Sequence, residues 1–178
     1  MGAAGGLIGI VSIQKLLKHP ILLVTTVNGA LGGLVSITAG AVTMSPGFAF
    51  LSGIIGAVVV FFGEKLLLRL KIDDVIGAIP VHAFCGVWGT LAAGIFYSGD
   101  LFSLDRIVVQ LYGVVAIFLW SFMVSWLVYY GIDTVFGLRV DRRSERRGLD
   151  YSEHYEVAYP EFSDVATHQE KTTFRPSR

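Results

Sequence analysis

Apolar stretches of bilayer length, separated by short polar turns, restrict what this chain can fold into more than any motif does. Ile21–Thr43, Gly47–Gly63 with its continuation through Leu66–Leu68, Val75–Tyr97 and Ile107–Ile132 carry few or no charges, and roughly 20 apolar residues suffice for a transmembrane helix. Inside a bilayer only helices and closed barrels satisfy their own backbone polar groups. These runs are continuous rather than alternating and about twice as long as a barrel strand, which disfavours a barrel. Composition agrees, with 53% hydrophobic residues, 16% charged residues and a mean hydropathy of +0.64, values that soluble domains rarely reach. The fold class is therefore all-α, a polytopic transmembrane helix bundle.

The predicted spans cover about 21–43, 47–70, 75–97 and 107–136. Ahead of them Met1–Gln14 is apolar and glycine-rich but reaches only about 21 Å as a helix, so it reads as the end of a further, partial span. It lacks the basic start of a signal peptide, since Lys15 and Lys18 follow the apolar stretch. Charge sets the orientation. Lys15, Lys18, Lys65, Arg69, Lys71, Arg139, Arg142, Arg143, Arg146 and Arg147 fall on one side, and Arg106 falls on the other. The positive-inside rule makes the first side cytoplasmic, with Met44–Pro46 and Ser98–Arg106 outside and the C-terminus inside.

Within Val75–Tyr97, apart from the terminal tyrosine, the only ionisable side chains are His82 and the thiol of Cys85. A ring at that depth is the first functional candidate. Desolvation favours the neutral imidazole, which keeps one donor and one acceptor nitrogen. His82, Gly86, Gly89 and Ala93 recur at helical spacing, a stripe with little side chain that predicts a groove beside the ring. A histidine hydrogen-bonded inside a tight helix interface fits the same pattern. Pro80 predicts a kink and a freed carbonyl nearby. Asp73 and Asp74 read as caps on the helix start. Small residues at four-residue spacing, Gly29 with Gly33, Gly32 with Ser36 and Gly40, and Gly53 with Ala57, predict closely packed spans. Cys85 reads as a small packing residue.

Lys71–Asp74, Gly77–Ile79 and Val81-His82-Ala83-Phe84-Cys85-Gly86-Val87-Trp88-Gly89-Thr90-Leu91 together resemble the ammonium transporter signature. Asn28–Ala30, Leu34–Gly40, Ser45-Pro46, Gly131–Asp133, Gly137–Val140 and Gly148–Asp150 extend the resemblance over residues 1 to about 159. It implies the ammonium transporter, methylammonium permease and Rhesus family, a homotrimer of eleven-helix protomers in the inner (plasma) membrane, each with a narrow hydrophobic pore for ammonium or ammonia. On that alignment the chain supplies the end of helix seven, helices eight to eleven and the tail. His82 then matches the second of two pore histidines and Thr38 a residue near the pore. The first histidine, the outer recruitment site and the gate belong to earlier helices. Thr38 has another reading, a hydroxyl bonded to its own i−4 carbonyl.

Beyond Asp133 the composition turns polar, so 137–159 reads as a cytoplasmic region and 160–178 as a disordered tail. The resemblance makes Gly137, Arg139, Gly148 and Asp150 part of a regulatory tail with a PII-type protein as partner. The run Asp141–Arg147 is basic where the family is usually acidic, and His154-Tyr155-Glu156 replaces an expected His-Gly-Glu. Arginines just inside a membrane helix also suit anionic lipid headgroups. The four histidines lack metal-ligand spacing and no phosphate-binding loop precedes a helix, so the expectation is no enzyme, no cofactor, no metal and no nucleic-acid partner. An ammonium sensor signalling through the tail, and a truncated chain without transport of its own, are the other readings.

Overall fold

The computed structural model describes residues 1–154; the expectations for residues 155–178, including the 160–178 tail and Tyr155-Glu156, lie outside the described residues. The described chain is helical: α1 Gly2–Leu16, α2 Leu23–Thr38, α3 Pro46–Leu70, a π-helical turn Ile79–Phe84 running into α4 Cys85–Ile95, α5 Leu104–Phe136, α6 Arg142–Arg147 and α7 Leu149–His154. Met1–Ser121 form one compact unit and the described chain from Phe122 onward another, with the boundary inside α5. By length and hydropathy α3 and α5 can each cross a membrane, at window means of 2.0 and 2.2, and α1, α2 and the Ile79–Ile95 segment are shorter apolar helices.

Local chemistry sets the ends. Ser45 is extended and Pro46 opens α3, where a missing N–H costs nothing and the ring presets φ. Lys71 closes α3 in the left-handed region at φ 58° with its N–H on the Leu67 and Leu68 carbonyls. α2 stops at Thr38, short of the predicted 43, because the chain leaves the helix in turns at Gly40–Met44. Met44 then pairs with Tyr97 in an isolated antiparallel bridge, and the Ser98 N–H donates to the Thr43 carbonyl at 2.9 Å. Phe48 stacks on Phe96 at 4.8 Å over this closure, beside buried Met44, Ala49 and Ala92.

The first unit is assembled by backbone approach. A Cβ on Gly6 would strike the Gly29 carbonyl oxygen and come within 3.0 Å of the Gly33 Cα; one on Gly33 would strike the Gly2 oxygen. Gly5 meets the Phe50 carbonyl, Gly53 the Gly2 carbonyl and Gly9 the Ala57 methyl. Thus α1 runs antiparallel to α2 and parallel to α3, with Ile10, Ala57 and Phe61 filling the space beyond the glycines. Lipid tails are as apolar as leucine, so close dispersion contact of this kind, rather than expulsion from water, favours association. Between α2 and α3 the Ser52 hydroxyl donates to the Ser36 carbonyl at 2.9 Å while the Ser36 hydroxyl donates to Gly32 at 2.6 Å. α5 differs from these helices, since none of its residues is buried and its aromatics are displayed from Tyr112 to Phe136, as on a lipid-facing helix.

Gly6→Val is expected to cost about 1–3 kcal/mol, the range for overpacking a close contact, in unfolding of the chain from micelles. Gly113→Ala in α5, where a Cβ meets nothing within 4 Å, is expected to change stability by less than about 0.5 kcal/mol in the same assay.

Candidate functional site

Alternation of burial along the π turn fixes the outlook of His82. Pro80 and Val81 are fully buried or nearly so, His82 and Ala83 are exposed, and Cys85 is buried again. The buried side is anchored on α2 and α3. Gly63 of α3 leaves room for Pro80 and Phe84, Val81 and Cys85 pack with Val60, and the Cys85 thiol lies 3.4 Å from the Gly56 carbonyl oxygen. With that side committed, the imidazole projects from the opposite one.

Gly86, one turn further on, has nothing within 4 Å of where a Cβ would stand, so the surface beside the imidazole is open. Gly89 is turned into α2 instead, where a Cβ would meet the Val35 oxygen at 2.8 Å, and Ala93 packs at Gly40 in the turn after α2. The stripe read from helical spacing is therefore divided. A π turn holds more residues than the 3.6 of an α-helix, so the phase carried from His82 to Ala93 slips. The exposed face keeps His82 and Gly86, with half-buried Thr90 beyond them donating to the Gly86 carbonyl at 2.8 Å.

Thr38, at the end of α2, is exposed, and its hydroxyl donates to the Leu34 carbonyl at 2.9 Å. That bond uses its proton and leaves oxygen lone pairs for a donor. Since Gly89 meets Val35 and Ser36 and Ala93 meets Gly40, Thr38 sits at a level about 13 Å along the bundle from His82. Asp74 reaches forward to the start of the π turn, its two oxygens accepting the Ala78 and Ile79 N–H groups at 2.8 Å each; Asp73 beside it is exposed. No regular helix starts at Val75, because Gly77 takes φ +75° and Pro80 follows.

Two polar positions in the apolar spans went unremarked at the level of sequence. Glu64 in α3 accepts from Asn28 Nδ2 at 3.1 Å and from the Thr25 hydroxyl at 3.3 Å. A carboxylate beside Lys65, at the break between the apolar runs Gly47–Gly63 and Leu66–Leu68, was the available signal. Gln14 in α1 is 1% exposed, and neither its amide oxygen nor its nitrogen has a partner among the described residues. A separate cleft of about 390 Å³, away from His82, is lined by Thr43, Tyr97, Asp105, Arg106 and Gln110 among others. There the Arg106 guanidinium lies 3.8 Å from the Tyr97 ring centre.

In the second unit Gly137, at φ +73°, ends α5, and the Leu138 N–H is taken by the Asp133 carboxylate at 2.9 Å. Arg139 forks onto both oxygens of Glu145 at 3.0 and 3.2 Å. Asp141 caps α6 through the Arg143 and Ser144 N–H groups, Gly148 separates α6 from α7, and Asp150 lies exposed in the first turn of α7.

The sequence matches the Ammonium Transporter Family over residues 1–159, and the chain belongs to that family, whose members are membrane proteins. It is 42% identical over 154 residues to the putative ammonium transporter sll1017 of Synechocystis, covering 85% of this chain and 34% of that protein. It is 34% identical over 177 residues to the ammonium transporter Amt2 of Archaeoglobus fulgidus, covering 91% and 38%. Among solved structures it resembles a "Sensor Amt Protein" with a TM-score of 0.78 and 31% identity, covering 85% of this chain and 39% of that one. The chain thus spans between a third and two fifths of the length of these relatives.

The Asp141 carboxyl is held below its ordinary pKa, first by the Ser144 N–H, then by the Ser144 hydroxyl and the Arg143 N–H. A depressed value means that the charged cap is fully present above the usual carboxylate range and is lost as pH falls through the folded-state value. Helical NMR shifts at Ser144–Arg147 are therefore expected to persist at pH 5 and fade only in stronger acid. Asp141→Asn is expected to flatten that dependence.

Proposed function

We propose that this chain furnishes one wall of a path for ammonium or ammonia across the membrane, with His82 on its lining. One observation carries the reading: an imidazole stands outward from an apolar segment, over the open surface at Gly86, while the segment's other side is locked into α2 and α3. Membership of the family, and relatives named as ammonium transporters, support it.

The physics follows from charge. Ammonium loses its hydration in a narrow apolar passage, and carrying its full charge through hydrocarbon costs far more than carrying neutral ammonia. A neutral imidazole both accepts from and donates to a species passing along its edge, replacing part of the lost water. Thr38 offers a second oxygen about two and a half turns away along the same path. In this proposal the complete protein is a homotrimer in the plasma membrane with the tail cytoplasmic. Gly137, Arg139, Gly148 and Asp150 shape a regulatory tail that meets a PII-type protein, and Asp73 assists Asp74 at the helix start. A second reading, an ammonium sensor, is favoured by the resemblance to the solved sensor Amt protein.

Uptake of labelled methylammonium separates these. The chain is expressed alone and together with the preceding helices of a full-length relative, each with and without His82→Ala. Uptake is expected in the combined form and is expected to fall about tenfold or more in His82→Ala, the rate equivalent of one lost hydrogen bond of about 1.4 kcal/mol. Uptake indifferent to His82 would overturn the conduit. Ammonium-dependent change at the tail without uptake would establish the sensor.

A further inference from the structure

Pro80 creates a backbone deficit two residues before His82. Were the helix to begin earlier, the Ile76 carbonyl would receive the N–H of residue 80, and proline has none. In hydrocarbon such an acceptor needs another donor. It has one from a different helix: Asn28 Nδ2 donates to the Ile76 oxygen at 2.9 Å and, with its other hydrogen, to Glu64 Oε1 at 3.1 Å. Asn28 is 6% exposed, so water does not substitute freely for either bond. Thr25 holds the second oxygen of Glu64, and these bonds join α2, α3 and the entry to the π turn at one point.

The turn is shaped to receive this amide. Gly77 is at φ +75°, where L side chains are strained, and a Cβ there would strike Asn28 Nδ2 and stand 3.3 Å from Glu64 Oε1. Asp74 then ties down the next two N–H groups, and the Val81 N–H reaches back to the Gly77 carbonyl at 3.2 Å. From Ile76 to Val81 every residue but Pro80 thus has a backbone group held by one of these bonds, and His82 is the next residue.

We propose that Asn28 and Glu64 are positioning residues for His82: by holding the Ile76–Gly77 turn they set the rotation at which the π turn presents the imidazole. The assignment rests on the reading that His82 lines the path, and it adds a cause for the ring's orientation. What Glu64 must supply is one acceptor oxygen for Asn28 and, beside it, a polar atom for the Thr25 hydroxyl. Its charge is not required. A glutamine fits the same position, its carbonyl oxygen accepting from Asn28 and its amide donating to the Thr25 oxygen, whereas a leucine leaves Asn28 and Thr25 without their acceptor.

Nitrogen-15 NMR of the His82 side chain, in the full chain reconstituted in lipid bilayers, tests this without requiring transport. Asn28→Ala and Glu64→Leu are expected to shift or split the imidazole signals, and Glu64→Gln is expected to reproduce the wild-type spectrum. Thr134→Val, which removes only a local hydroxyl bond on α5, serves as control. Unmoved His82 signals in helical, inserted Asn28→Ala and Glu64→Leu would overturn the proposal, as would Glu64→Gln behaving like Glu64→Leu. If those variants fail to insert, Thr25→Val, which deletes one bond to Glu64, and Gly77→Ala, which crowds the amide, carry the same expectation and the same refutation. Addition of methylammonium to wild type and Asn28→Ala combined with the preceding helices of a full-length relative, where the path is complete, separates the two readings. A ring that ignores it but moves in Asn28→Ala ends the conduit and keeps the positioning, and the converse keeps the conduit and ends the positioning.

Discussion

Contact between bare backbones, made possible by glycine on both sides, is what the first unit depends on. Gly6 lies against Gly29 and Gly33, Gly2 against Gly33 and Gly53, and Gly5 against Phe50. In lipid the drive that assembles soluble cores is largely absent between helices, and what remains is dispersion at short range with the hydrogen bonds that such proximity allows. The serine pair Ser36–Ser52 and the Trp88 indole, which donates to the Ser52 carbonyl at 3.1 Å, belong to this second class. Each bond is short only because the glycines have already brought the backbones together.

That scaffold explains how an imidazole is held facing outward. The π turn commits Pro80, Val81 and Cys85 to α2 and α3, and a segment fixed along one side has its opposite side determined. The wide turn also reconciles two demands that an α-helix would set against each other. The proline needs a place where its missing N–H is tolerated, and the remainder of the helix must still pack Gly89 on α2 and Ala93 on Gly40.

Much of this was legible in the chain. Apolar runs marked the helices because length and hydropathy are local quantities, and family membership was readable from the stretch around His82. The ends were less legible. α2 stops at Thr38 because the Met44–Tyr97 bridge and the Phe48–Phe96 stack form across residues distant in sequence. Helical periodicity presumed one pitch from His82 to Ala93, and the π turn breaks it. The partnership of Asn28 with Glu64 joins residues 36 positions apart, a separation no spacing rule reaches, although a carboxylate at the break between two apolar runs was itself a clue. The Thr38 bond to Leu34 follows from helix geometry alone.

The glycine contacts also bear on how this chain can vary. When two side chains touch in a soluble core, one can grow if the other shrinks, and such exchanges let sequences drift. Between Gly6, Gly29 and Gly33 neither partner has anything left to give up. That contact is therefore closed to compensated exchange, and variation in such a bundle is displaced onto surfaces like that of α5, where an added methyl at Gly113 touches nothing.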